Sequence, residues 1–383
     1  MNQFQEQLRK GIARWLDSGK KSGQVISDSA TVAMSSALGK RTENQDRTIF
    51  LRVKFDEPGR SSIAALVLCD GMGGMIGGGD CANVAISAFA TSLIRSTARD
   101  LSDSLEEAVH SANRAVYERF RGEGGSTLSA VACDDTGNWS GINVGDSRVY
   151  GVLKDGSIQQ FTIDDTLENQ LADLKLPSPP AEFRQLLQYV GMGAGIEPRK
   201  IDFQAFPEAK WFLVTSDGAH GIPPGIFQSL ISSAMSPSEI VYRLTELSEW
   251  LGGKDNSTVA VLTGGEELFL RNEKSVPSSL EIWGIPGKVE FLSIKPLRSE
   301  PSQNEILPTK DVAHAPAKTI DKQSEQPQIK AENKPTTKKK RKNSSKKETS
   351  KDRKSTDEKA ADRDVKLKKS RPQLSIEFSA EEG

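Results

Sequence analysis

Cysteine, histidine and aromatic residues are scarce in this chain, and long apolar runs are missing. Its 383 residues hold three Cys and three His, and aromatic side chains make up 6%. Cys69, Cys81 and Cys133 are widely spaced and odd in number, which excludes a disulfide framework. Two lie in or beside apolar stretches, as small buried thiols in a reducing cytosol would. No Cys-x-x-Cys or His-x-x-x-His pair occurs, so zinc sites of those spacings are excluded. No run approaches 18 apolar residues, and Met1 to Lys21 has no apolar signal core. The expectation is a soluble, cytoplasmic protein with no membrane partner.

Charge is balanced in sum and uneven in place. Against 51 basic and 52 acidic residues overall, the segment from Lys334 to Arg371 holds 17 Lys and Arg and 6 Asp and Glu. That segment is about +11, and the remainder about −12. A folded acidic part and a basic tail is the simplest arrangement.

The pattern along the chain is mixed. Phe4, Leu8, Ile12, Trp15 and Leu16 fall at helical spacing, so residues 1–20 form an amphipathic helix. Strand-like stretches follow at Thr31 to Leu38, Thr48 to Val53 and Ile63 to Cys69, then helical ones at Asp80 to Ala98 and Asp103 to Arg121. Strands return at Thr127 to Cys133, Trp139 to Val144, Arg148 to Leu153 and Ile158 to Thr162. Residues 163–197 are irregular and read as a surface flap with a helix candidate at Glu182 to Tyr189. Further strands are expected at Ile201 to Phe206, Trp211 to Thr215 and Thr258 to Leu262, with helices around Pro224 to Ser233 and Ser238 to Leu251. Strands interleaved with pairs of helices predict sheets covered by helices.

Residues 1–265 therefore read as one domain, and 266–297 as a β-hairpin extension around Gly284-Ile285-Pro286-Gly287. Residues 298–383 are rich in Pro, Ser, Gln and Lys and cannot bury enough apolar area to offset ordering entropy, which predicts a disordered tail. Its end, Leu374 to Phe378, alternates apolar and polar like a short strand.

The chemistry lies in five aspartates at strand ends and tight turns: Asp46, Asp70, Asp146, Asp217 and Asp255. Each Asp-Gly or Asp-Asn pair alone is an ordinary turn. Should the strands share one sheet edge, the five would converge, and crowded carboxylates repel unless cations sit among them. An oxygen-only donor set favours a hard divalent ion. The glycines after Asp70 allow a sharp turn and leave the Gly71 carbonyl uncovered.

The ordered set is Arg41…Asn44-Gln45-Asp46, Asp70-Gly71-Met72-Gly73-Gly74, Gly125-Ser126-Thr127, Asn143-Val144-Gly145-Asp146-Ser147-Arg148, Thr215-Ser216-Asp217-Gly218 and Asp255-Asn256-Ser257-Thr258. It resembles the PPM-type (type 2C) metal-dependent protein phosphatases, in their bacterial-like form, over roughly residues 28–265. The resemblance implies an α+β fold: a four-layer αββα sandwich of two antiparallel sheets flanked by helix pairs. It implies hydrolysis of phosphoserine and phosphothreonine in proteins by a metal-bridging water, with two Mn²⁺ or Mg²⁺ and a third, weaker site. By the same resemblance Asp70 bridges two ions, with the Gly71 carbonyl on one of them. Asp217 and Asp255 complete a shell, Asp46 lies near the site, Asp146 with Asp217 holds the third ion, and Arg41 grips the phosphate. The lack of a Cys-x5-Arg stretch agrees with a route that needs no protein nucleophile.

Two positions depart from some members. Met72 stands where those members have a histidine acid, and Met has no proton to give. Gln45 stands where others have Glu and adds no charge. His220 is expected as an exposed loop residue.

The resemblance implies a phosphoprotein substrate and a cognate kinase. The tail could tether a protein partner through its strand-like end. No aromatic interleaves with Lys338-Lys339-Lys340-Arg341-Lys342, which argues against nucleic acid. The alternative reading is a weak or inactive phosphatase-fold scaffold that binds partners through its tail.

Overall fold

Apolar side chains alternate between two environments along nearly every central strand. A computed structural model describes residues 3–55, 59–96, 98, 100–171, 185–203, 209–264, 268–269 and 279–292. In β3 (Arg47–Lys54), Ile49, Leu51 and Val53 face one core while Phe50 faces another. In β4 (Ile63–Cys69), Ala65, Val67 and Cys69 share the first core, and Ala64, Leu66 and Leu68 the second. A strand buried on both faces reads as a continuous apolar run, yet its period of two still sorts residues by layer.

Two antiparallel sheets result. One has six strands in the order β1 (Gly23–Ile26), β2 (Val32–Ala37), β11 (Ser257–Thr263), β10 (Ala209–Thr215), β7 (Arg148–Leu153) and β8 (Ile158–Gln160). The other has seven, in the order β13 (Gly287–Leu292), β12 (Ser279–Gly284), β3, β4, β5 (Leu128–Asp134), β6 (Trp139–Val144) and β9 (Arg199–Asp202). Between the sheets lie Met34, Phe50, Leu66, Leu68, Phe212, Val214 and Leu262. The seven-stranded sheet is covered by α1 (Gln3–Ser18), α2 (Gly78–Leu93) and α3 (Leu101–Phe120), through Leu16, Phe89, Leu93 and Leu105. The six-stranded sheet is covered by α6 (Pro224–Ser232) and α7 (Pro237–Trp250), through Phe227, Ile231, Ile240 and Leu244. Each such side chain contributes about 1.5–3 kcal/mol by leaving water. The architecture is the expected four-layer α+β sandwich.

Several boundaries differ from the sequence pattern. α2 stops at Leu93, short of Ala98, where the Arg60 guanidinium donates to the Ile94 carbonyl at 2.7 Å. The described part of the helix candidate at 182–189, residues 185–189, is not helical; Leu186 bridges Thr166, and the adjoining Val190 exchanges backbone hydrogen bonds with Ser126. The rest of that candidate and residues 298–383, with the strand-like end at 374–378, lie outside the described residues.

β12 pairs with β3 as well as with β13, so the hairpin continues the seven-stranded sheet. Glu281 sits in this hairpin, 3% exposed. Its carboxylate accepts from Arg52 Nη2 at 2.5 Å and from Trp283 Nε1 at 2.7 Å, and Lys288 Nζ lies 3.1 Å away. Burial raises its pKa, but the bonds and charges of Arg52, with Trp283 and Lys288, outweigh it and hold the group at about 2. A carboxyl depressed on folding stabilises above its unfolded pKa and loses that contribution as pH falls. The wild type should therefore lose roughly 1–3 kcal/mol between about pH 4.5 and pH 2 from this group. Urea titrations along pH should show that slope, and it should be missing in Glu281→Gln.

Candidate active site

Strand register brings the five aspartates to one end of both sheets. Asp46 enters β3 and Asp70 leaves β4, and their neighbours Arg47 and Cys69 pair directly. β5 starts at this same end, with Leu128 opposite Val144, the last residue of β6. Asp146 lies in the turn that follows. In the other sheet Thr215, the last residue of β10, pairs with Arg148 at the start of β7 and with Val259 near the start of β11. Asp217 lies two residues beyond β10, and Asp255 two residues before β11.

Short polar side chains tie these ends together. Ser216 Oγ donates to Asp46 Oδ2 at 2.8 Å and accepts from the Thr258 amide at 2.9 Å, so it links the two sheets. The Asp70 amide donates to Thr127 Oγ1 at 3.0 Å, and the Asp70 carbonyl accepts from Ser126 Oγ at 2.8 Å. Arg47 fixes the Asp46 loop from below, through Asn83 Oδ1 at 2.8 Å and the Asp46 carbonyl at 2.8 Å. At Gly71 a Cβ would fall 2.2 Å from the Gly78 carbonyl oxygen, so only glycine lets the Asp70 turn press on the start of α2.

The carboxyls feel one another. Asp70 is raised well above the ordinary carboxylate range, first by desolvation and then by the charges of Asp46, Asp217 and Asp146. Asp217 is pushed up to about 7 by desolvation, then by Asp146, Asp255 and Asp46. Asp146 is pushed up to about 6 by desolvation and then by Asp164. Asp46, 2% exposed, is raised mainly by desolvation; its carboxyl neighbours that of Asp70, and its Oδ1 is buried with no donor among the described residues.

An orphaned acceptor among mutually repelling oxygens fits a hard cation. Among the described residues no three acidic, His or Cys side chains close on a single point as a ready cage.

Arg41 Nη2 lies 2.6 Å from Asp255 Oδ2, with its side chain 47% exposed. The Gln45 amide donates to Asn256 Oδ1 at 2.8 Å, and its side-chain oxygen lies against Gly73 and Gly78. Met72 Sδ packs beside Gly125. His220 corrects the expectation of an exposed loop residue. It closes the short helix α5 (Asp217–His220), is half-buried, and has Nδ1 2.9 Å from Thr215 Oγ1. Burial and the nearby Arg148 hold its pKa well below the usual value.

The sequence pattern missed Asp164 and Asp165. Arg148 forks onto Asp164, with Nη2 at 2.6 Å and Nε at 2.9 Å. Asp165 accepts from the Gly145 amide at 3.0 Å and from Arg199 Nε at 2.7 Å, which secures the loop that carries Asp146.

Solved structures share this fold. The serine/threonine phosphatase PstP/Ppp of Mycobacterium tuberculosis superposes with a TM-score of 0.50 at 27% identity, over 61% of this chain and 97% of that one. The fold is that of the PPM-type serine/threonine phosphatases. Two more distant structures share the PPM-type fold: the Stp1 phosphatase of Staphylococcus aureus and a serine/threonine phosphatase of S. agalactiae. Their TM-scores are 0.52 and 0.51 and their identities 19% and 24%; each covers 61% of this chain, and 94% and 99% of the other. No family model matches the sequence, and neither does any curated protein.

Proposed function

We propose that this chain is a metal-dependent protein phosphatase acting on phosphoserine and phosphothreonine, with Mn²⁺ or Mg²⁺ as cofactor. The reading is carried by the strand register that brings Asp46, Asp70, Asp146, Asp217 and Asp255 to one end of both sheets, where neighbouring carboxylates raise Asp70 and Asp217. It is supported by the likeness to a phosphatase 27% identical. Bound ions, two with a third held more weakly, would supply an activated water and neutralise charge on the phosphoryl oxygens.

The chain's own residues divide the remaining work. Asp70, the Gly71 carbonyl, Asp217 and Asp255 would hold the ions, Asp146 would join Asp217 at the weaker position, and Asp46 would back Asp70. Arg41 orients the phosphate: its guanidinium presents five N–H donors, and the bond to Asp255 uses one nitrogen. Met72 brings no proton to the leaving alkoxide, so water or another acid must supply it. His220, neutral and bonded to Thr215, positions the strand exit before Asp217.

The substrate is a phosphoprotein made by a protein kinase. We assign the protein to the cytoplasm, in keeping with three free, buried cysteines, and residues 298–383 to tethering a protein partner. Steady-state hydrolysis of a phosphothreonine peptide tests the activity. Turnover should appear with added Mn²⁺ and vanish with chelator; no turnover at any Mn²⁺ concentration would overturn the reading.

A further inference from the structure

Outside the acidic set, two loops meet to form a rim of opposite character. Residues 38–41 follow β2, and residues 251–256 join α7 to β11. The Lys40 amide donates to the Gly253 carbonyl at 2.7 Å, and the Asn256 side chain donates to the Leu38 carbonyl at 2.9 Å. Lys40, Arg41 and Lys254 are all exposed on these loops. Arg41 engages Asp255, whereas Lys40 and Lys254 have no ion pair among the described residues. The Lys40 ammonium lies across Gly252, 3.9 Å from where a Cβ on that residue would sit. Immediately before Gly252, Trp250 is 72% exposed and Leu251 44%, and Leu38 across the rim is 37% exposed.

These groups do nothing for the ions, since lysines beside a cation site oppose its filling. Nor does a phosphate group alone need them, because Arg41 and the ions already meet its oxygens. A protein substrate differs from a bare phosphate ester by the residues on either side of the target. Lys254 adjoins Asp255 in the chain, and Lys40 adjoins Arg41, so those flanking residues must pass over them. An exposed Trp at the end of a regular helix offers a large rigid face for an apolar side chain. The nearest acids on α7, Glu246 and Glu249, are exposed and pair with neither lysine.

We propose that this rim reads the residues beside the phosphorylated side chain and selects acidic segments that carry an apolar residue. The inference rests on the phosphatase reading and names its substrate class. Lys40 and Lys254 attract flanking carboxylates, and Trp250 with Leu251 covers the apolar neighbour. Charge complementarity at an exposed rim acts mainly on encounter and on KM.

The test compares three phosphothreonine peptides, flanked by acidic, neutral or basic residues, and p-nitrophenyl phosphate as an ester without flanks. Wild type, the double variant Lys40→Glu/Lys254→Glu, and Trp250→Ala are assayed by kinetics and by fluorescence anisotropy with the same peptides. The charge reversal should raise KM for the acidic peptide about tenfold, leave kcat within about twofold, and improve the basic peptide. Trp250→Ala should weaken all peptides that carry the apolar residue about fivefold, and leave p-nitrophenyl phosphate unchanged. Equal loss on all three peptides in the charge-reversal variant, or no change in either variant, would overturn the rim. Dimerisation broken by Trp250→Ala, with peptide preference unaltered, would assign the rim to self-association and also overturn it. Preference in anisotropy without hydrolysis of any substrate would support the rim and defeat the phosphatase reading alone.

Discussion

Asp70→Asn is expected to lower kcat on a phosphopeptide by about a thousandfold or more while raising the melting temperature of the chelator-treated protein. The two effects have one cause. Asp70 sits where desolvation and the charges of Asp46, Asp217 and Asp146 all disfavour its ionised form. A site that holds such charges without strong pairing is less stable than a neutral one of the same shape. Asn keeps that shape and brings an amide donor toward Asp46 Oδ1, an acceptor with none among the described residues. Relief of about 1 kcal/mol would raise the melting temperature by about 2–4 °C. Mn²⁺ binding by calorimetry should fail in the same variant. A variant that loses activity and also melts lower would show that Asp70 holds the fold together, against the ion-bridging role proposed for it.

The parts of this protein that could be read from its residues are those where local pattern and tertiary environment agree. Ile63 to Cys69 was legible to both ends, because a strand buried on both faces is a continuous apolar run, stopped by the Asp70-Gly71 turn. The acids of the site were legible for a related reason: each is the first charged residue past an apolar strand or in a tight turn beside one. What escaped depends on distant partners. β1 is four residues long, on a sheet edge and largely exposed, so it has no alternation to detect. The end of α2 is set by Arg60, 34 residues before the carbonyl it binds. Asp164 and Asp165 stand in an irregular stretch, and their importance comes from Arg148 and Arg199, 16 and 34 residues away. His220 looked like a loop residue because a four-residue helix leaves no periodicity; only the fold sets it against Thr215.

Gly218→Ala is expected to damage fold and site together. A Cβ there would lie 1.9 Å from the Asn256 carbonyl oxygen and 2.9 Å from its carbon, both backbone atoms that cannot rotate aside. The two loops are pressed together by other bonds. The Ser216 amide donates to the Thr258 carbonyl at 3.0 Å, and Ser248 Oγ donates to the Gly218 carbonyl at 2.7 Å. Relief of the clash must therefore move Asn256. Its side chain holds the Gln45 amide at 2.8 Å and the carbonyls of Leu38 and Glu43 at 2.9 and 3.1 Å. Displacement would reach Asp217, Asp255 and the loop of Arg41 at once. An overpacked backbone contact of this kind costs roughly 3 kcal/mol, a fall of about 6–12 °C in melting temperature. A shift near 1 Å in groups that must align costs about a hundredfold in turnover. Gly225→Ala is the matched control, since it adds the same methyl in α6 with nothing within 4 Å. That variant should melt within about 1 kcal/mol of wild type and keep full activity. If Gly218→Ala behaved like the control, the close approach of the 217–218 and 255–256 loops would not be what sets the separation of Asp217 and Asp255.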